Sequence, residues 1–165
     1  MFIIRYNEDG DDMEFLDLKK NRKYLEEYCQ LCSFEWGESK SDIEMNRYVS
    51  EKIEKILSGD KVICVIGLIL SDTLIGFISL FRYDGDERMD LTPWYATMYV
   101  KEQYRNHGYS KILHNKILQE ASRLGYDRVY LKTDLVNYYE KFGAVYMEDL
   151  KCGEKLYYID CKDKI

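Results

Sequence analysis

Residue types and spacing come closest to a chemical site in the segment Tyr99-Val-Lys-Glu-Gln-Tyr-Arg-Asn-His-Gly-Tyr-Ser-Lys-Ile-Leu. It sets a loop containing Arg105 and Gly108 between a β-rich run and an amphipathic helical pattern. The first N–H groups of a helix have no carbonyl partner, and the helix dipole adds partial positive charge at the same end. Such a junction can hold a phosphate or pyrophosphate. Gly108 lets the main chain approach an anion closely. Lys101, Arg105 and Lys111 add positive charge locally to a chain whose net charge is −6. From the residues alone two readings stay open: an anion site, or solvated cations around an ordinary turn.

Other chemistry finds less support. His107 lies in the same loop, within reach of such an anion, whereas His114 falls inside the following helix and suits packing or surface. Neither has the Ser or Cys partner pattern of a hydrolase triad. Cys29 and Cys32 form a lone CxxC within a helical pattern, without the second pair or nearby His that a zinc site needs, and read as packing residues. No metal is expected. No Gly-x-x-x-x-Gly-Lys-Ser/Thr sequence is present, which argues against a nucleotide-phosphate enzyme. The acidic balance argues against a nucleic-acid partner. The apolar run from Val62 to Leu70 is too short to cross a bilayer, so no membrane partner is expected. Five scattered cysteines and no signal-peptide pattern point to reduced thiols and a cytoplasmic protein.

The elements that must position the loop follow from periodicity. A length of 165 residues suits a single domain spanning 1–165. Phe2 to Tyr6 reads as a strand, Glu8 to Asp12 as a turn and helix start, and Phe15 to Leu31 as a helix broken near Lys20 to Arg22. Ser33 to Lys40 is expected as a loop. Ser41 with Glu44 resembles a capping box opening a second helix, which stops at Gly59. Lys61 to Leu70 and Thr73 to Tyr83 form an expected hairpin about Ser71-Asp72. Pro93 leads into a strand from Trp94 to Val100. A helix ending at Gly125, a strand from Asp127 to Thr133, a short helix from Asp134 to Phe142 and two closing strands complete the order. The fold class is mixed α/β, with a sheet that need not be wholly parallel.

The loop Arg105-Asn-His-Gly-Tyr-Ser resembles motif A of the GNAT superfamily of N-acetyltransferases, whose signature is Gln/Arg-x-x-Gly-x-Gly/Ala. Ser110 stands at the last position in place of Gly or Ala. Downstream, Asn137-Tyr-Tyr-Glu-Lys-Phe-Gly-Ala is similar to the family's Phe-Tyr-Glu-Lys-x-Gly-Phe, with Tyr139, Glu140, Lys141 and Gly143 aligned and Ala144 replacing the usual Phe. The resemblance runs roughly from Ile75 to Asp149. It implies a central twisted mixed sheet of about six to seven strands flanked by about four helices. It also implies acetyl-CoA as co-substrate and transfer of the acetyl group to a primary amine of a small molecule or peptide, by direct attack in a ternary complex.

Roles for individual residues follow from the resemblance. The loop from Arg105 through Asn106, His107, Gly108, Tyr109 and Ser110 to Lys111 would bind the coenzyme's pyrophosphate. Backbone groups at Met98, Tyr99 and Val100, on a strand that carries a bulge in the family, would polarise the thioester and pair with the pantetheine arm. Tyr139 would protonate the departing thiolate. Some relatives use a Glu on the central strand as base, but its place falls near Trp94. Glu35, in the loop expected between the first helices, and Asp90, just upstream of the strand, are the candidate bases. Trp36 and Trp94 could wall the acceptor site or pack in the core. The Thr92-Pro93-Trp94 segment is similar to that of bacterial members. The acidic chain would suit cationic acceptors such as polyamines, aminoglycosides or amino-terminal groups. The alternative is a non-catalytic acyl-CoA-binding or dimerising module of the same fold. Strand edges and a Tyr-rich C-terminus are compatible with a homodimer.

Overall fold

Apolar residues on both faces of the central strands require cover on both sides, and the chain supplies it with helices. In the computed structural model, which describes residues 5–6, 10–37 and 41–164, eight strands form one sheet in the order β1-β2-β3-β4-β5-β6-β8-β7. They are β1 (Arg5–Tyr6), β2 (Asp12–Asp17), β3 (Val62–Leu70), β4 (Thr73–Phe81), β5 (Trp94–Val100), β6 (Arg128–Thr133), β7 (Val145–Asp149) and β8 (Lys155–Asp160). The three α-helices are α1 (Arg22–Trp36), α2 (Asp42–Ser58) and α3 (Tyr109–Arg123). Every strand pairing is antiparallel except β5 with β6.

Helix α3 lays Leu113, Ile117, Leu118 and Ala121 on one face of the sheet, against Leu68, Ile75, Ile78 and Leu80. Helices α1 and α2 cover the other face, where Leu25, Tyr28, Cys29, Ile53 and Ile56 meet Val65, Ile69, Phe77, Phe81 and Trp94. Alternate residues of β3 and β4 therefore feed two separate cores, which explains runs as continuously apolar as Val62–Leu70. Ser71 and Asp72 both take positive φ, 45° and 63°. A hairpin turn whose twist matches its strands needs that conformation at both central residues.

Two expectations at the N-terminal end are corrected. Asp12–Asp17 is a strand, not a helix start, and its register with β3 runs from Met13↔Leu70 to Asp17↔Ile66. Met13 and Phe15 are buried while Asp12 is exposed and Glu14 half-buried, a period of two that short windows confuse with helical spacing. Helix α1 begins at Arg22, after a 3-10 turn at Leu18–Lys20, and runs on through Trp36, so the loop expected from Ser33 starts later. Phe2 to Ile4 of the first expected strand, and Glu38 to Lys40 of that loop, lie outside the described residues. Helix α2 has the expected capping box between Ser41 and Glu44 and ends at Gly59 with φ of 81°. The short helix expected over Asp134 to Phe142 condenses to a 3-10 turn at Tyr139–Phe142. The mixed α/β architecture stands, with three α-helices among the described residues and β2 enlarging the sheet to eight strands.

Candidate active site

The sheet opens at its centre. Strands β5 and β6 run parallel but share one registered pair, Trp94↔Tyr130, after which they part. On its other side β5 loses register with β4: Phe77 faces Tyr99 and Ser79 faces Ala96, leaving Thr97 and Met98 opposite Ile78 alone. This is a bulge, which bends the strand and takes a residue out of the ladder. Thr97 holds φ of 50°, a conformation that costs a β-branched residue energy and persists only where its surroundings enforce it. Hydroxyls enforce it here: Thr97 Oγ1 lies 2.6 Å from Ser79 Oγ and 3.3 Å from the Tyr28 hydroxyl, which is itself 3.1 Å from Ser79 Oγ.

The bulge forms one wall of a cavity of about 1150 Å³. Tyr95 to Met98 line it from β5, Leu131 to Leu135 from the end of β6, and Tyr28, Cys32, Glu35, Trp36, Tyr48 and Lys52 from α1 and α2. Tyr139 reaches it from the 3-10 turn that follows β6.

The loop after β5 is shaped to leave main-chain donors free. Asn106 and Gly108 both take left-handed conformations, with φ of 64° and 78°. Gly108 caps α3 without any side-chain hydrogen bond to its first turn. The first-turn N–H groups of Tyr109, Ser110 and Lys111 therefore find no acceptor within their own helix. Arg105 donates from Nε to the Val100 carbonyl at 2.9 Å and sets its guanidinium 5.7 Å from the Tyr99 ring centre. It anchors the loop to the end of β5 while remaining exposed. His107 turns back on the loop, its Nδ1 2.7 Å from the Arg105 carbonyl, and its ring stacks on Tyr109. Lys101 points elsewhere, paired with Glu27 of α1 at 2.5 Å. The loop's uncommitted positive charge is thus carried by Arg105, Lys111 and the helix end itself.

Tyr139 packs edge-on against Tyr95 with ring centres 5.9 Å apart, and against Tyr138 at 4.8 Å. Burial, and secondarily Tyr138, push its phenol up to about 12, so it carries its proton throughout the neutral range. Behind it the Tyr95 hydroxyl meets His114 Nδ1 at 3.2 Å. His114 is buried and stacked on Phe142, and burial followed by the charge of Lys164 lowers its pKa to about 4. It is a neutral packing histidine, one of the two roles open to it from sequence.

The remaining site residues from the sequence fare differently. Glu35 lies in the last turn of α1 rather than in a loop, exposed, on the cavity wall. Trp36 beside it is 54% exposed, edge-on to Tyr99 at 6.4 Å. Asp90 is outside the cavity, with both carboxylate oxygens held by Arg88 at 3.0 and 2.9 Å. Trp94 is fully buried, its indole N–H donating to the Leu91 carbonyl at 2.9 Å, so it walls the core and not the acceptor site. Tyr28, Tyr48, Lys52, Tyr95 and Thr97 are cavity residues the sequence did not announce. They arrive from three separate elements, α1, α2 and β5, and only Tyr95 and Thr97 stood next to residues already singled out. Among the described residues no three His, Cys, Asp or Glu side chains converge as metal ligands, and no helix is long and apolar enough to cross a membrane.

The fold is shared with solved structures. The PaiA N-acetyltransferase of Thermoplasma acidophilum, solved in complex with coenzyme A, superposes with a TM-score of 0.61 at 20% identity, over 90% of this chain and 98% of that one. An aminoglycoside 6′-N-acetyltransferase complexed with coenzyme A gives 0.67 at 17% identity, over 89% and 96%. An N-acetyltransferase from Staphylococcus aureus Mu50 gives 0.64 at 15% identity, over 91% and 99%. At such identities the likeness is one of fold. No curated protein matches the chain. The sequence pattern of the Acetyltransferase (GNAT) family, however, matches residues 22–144, from the start of α1 past the Tyr139 turn. The parted strands, the uncapped helix and the aligned motifs have one explanation, and the chain belongs to the GNAT acetyltransferase family.

Proposed function

We propose that the protein transfers an acetyl group from acetyl-CoA to a primary amine of a small molecule or peptide, by direct attack within a ternary complex. The observation that carries this reading is a cavity at the parted β5–β6 pair that a protonated Tyr139 reaches, together with the uncapped α3 start that follows β5 in the chain. The residues present fit the coenzyme, since free first-turn amides with Arg105 and Lys111 suit a pyrophosphate and the slot beside Met98 suits a narrow chain. Bound there, it supplies an activated thioester. The amides of the loop from Asn106 to Lys111 hold the anion. Main-chain donors at the Thr97–Met98 bulge polarise the carbonyl, held in place by the Tyr28 and Ser79 hydroxyls. Tyr139 donates its proton to the leaving sulfur. Glu35, on the cavity wall, takes the proton from the incoming ammonium through water, a role closed to Asp90 by its pairing with Arg88.

A second reading, a module that binds acyl-CoA without turnover, draws on the place of the strand carboxylate used by some relatives, where this chain buries Trp94. Calorimetric titration with acetyl-CoA and with CoA comes first, with Arg105→Glu as control. Reversing charge beside the pyrophosphate should weaken binding by about tenfold, or about 1.4 kcal/mol. A panel of amines then separates the readings: acetylated product supports the enzyme, tight binding without product supports the module. Binding of neither ligand defeats both.

A further inference from the structure

Lys52 is a charged cavity group that the coenzyme and the proton transfers leave unused. It is half-buried on α2, with Nζ 3.2 Å from the Tyr48 hydroxyl, 5.5 Å from the Tyr28 ring centre and 5.6 Å from that of Tyr48. Among the described residues no carboxylate pairs with it. The cavity's carboxylates belong to Glu35, Asp60 and Asp134, which are exposed, and to Asp84 and Glu154, which are half-buried, and none of them forms an ion pair with Lys52. Burial alone would lower the pKa of the ammonium, but the Cys32 sulfur and the Tyr48 oxygen outweigh it and hold it raised, so the group stays charged. A half-buried ammonium with one phenol oxygen, the Cys32 sulfur and two ring faces for company has lost much of its hydration and gained no carboxylate partner.

Its position relates it to the reacting centre. The Tyr28 ring that Lys52 overlies carries the hydroxyl bonded to Thr97 Oγ1 in the β5 bulge. The ammonium therefore lies over the ring of the same tyrosine whose hydroxyl meets the bulge, on the same cavity. A ligand whose amine reaches the bulge while its other end meets Lys52 must be short.

We infer that the acceptor is a small primary amine that also bears an anionic group, carboxylate or phosphate, and that Lys52 receives that anion. The inference rests on the acetyltransfer reading above and narrows its substrate. It runs against the polyamines and aminoglycosides that net charge favours, because a whole-chain charge of −6 acts at long range and is screened, whereas Lys52 acts in contact.

The test uses the full chain loaded with CoA and reads binding by calorimetry, independent of turnover. The probes are matched pairs: β-alanine against β-alaninamide, phosphoethanolamine against ethanolamine, with spermidine as the cationic arm. The wild-type protein should bind at least one anionic member about tenfold more tightly than its neutral partner, and the favoured pair names the anion. Lys52→Met should erase that difference and Lys52→Arg should keep most of it, with CoA affinity moving less than about twofold in both. Equal or tighter binding of the neutral members or spermidine, a preference that survives Lys52→Met, or no binding of any probe overturns the inference. The wild-type comparison holds whatever the variants do to folding. Loss of CoA binding in the wild type would sink the acetyltransfer reading, which is a separate result from a loaded protein indifferent to anions.

Discussion

At the β5–α3 junction the open polar groups belong to the main chain; on the α1–α2 wall of the cavity they belong to side chains. The starts of α2 and α3 show the contrast. Helix α2 closes its own first turn, with Ser41 accepting from the Glu44 N–H and Glu44 reaching back to Ser41. Helix α3 begins at a left-handed Gly108 with no side chain across its donors. One end is saturated by its own residues and does structural work only. The other leaves its first donors open, at the cost of a cap worth about 1 kcal/mol. A wall built from main chain needs particular residues at particular places, because only some types take the required backbone angles. A wall built from side chains can be assembled from any elements that happen to meet.

Four changes would break or sharpen this contrast, taken from the largest effect down. Trp94→Ala should destabilise the fold by about 3–5 kcal/mol in urea unfolding, as expected of a fully buried indole. A normally folded variant with a raised acceptor KM would instead return Trp94 to the acceptor wall. Tyr139→Phe should lower kcat by about a hundredfold, or about 2.7 kcal/mol, with CoA affinity kept. Because burial raises its pKa to about 12, the protonated donor persists across the neutral range, so the rate should not fall from loss of this proton until pH approaches that value. Stopped-flow rates from pH 7 to 10 check the sign: a decline near 10 in wild type that vanishes in the Phe variant contradicts the burial. Ser41→Ala should cost about 1 kcal/mol of stability and leave the CoA titration unchanged, which separates the capped start from the open one. Asp90→Asn should change kcat/KM by less than about twofold, since its carboxylate serves Arg88 on the surface.

Sequence legibility followed the same division. The β3–β4 hairpin was readable because Ser71-Asp72 interrupts two long apolar runs, and α2 was readable from its capping box and terminal Gly59. Strand β2 was not, because Met13, Phe15, Leu16 and Leu18 satisfy helical and strand spacing alike until pairing with β3 chooses between them. The Arg105–Ser110 loop and the Tyr139 turn were legible by their motifs. Lys52, Tyr48 and Tyr28 were not, since a lysine and two tyrosines in helical patterns look the same on a solvated face and on a cavity wall. Asp90 and Trp94 stood close in sequence to the central strand, yet an ion pair claimed one and the core claimed the other.

By itself, then, the sequence determined what depends on neighbours along the chain: the glycine before α3, the capping box and terminal glycine of α2, the hairpin and the order of elements from α2 onward. Such features arise from backbone sterics and hydrogen bonds spanning a few residues. Tertiary structure alone decided which side chains share the cavity. Tyr28 meets Thr97 across 69 positions and Lys101 meets Glu27 across 74. Contacts at that separation are chosen by how two hydrophobic layers close on a twisted sheet, for which no local spacing is a guide.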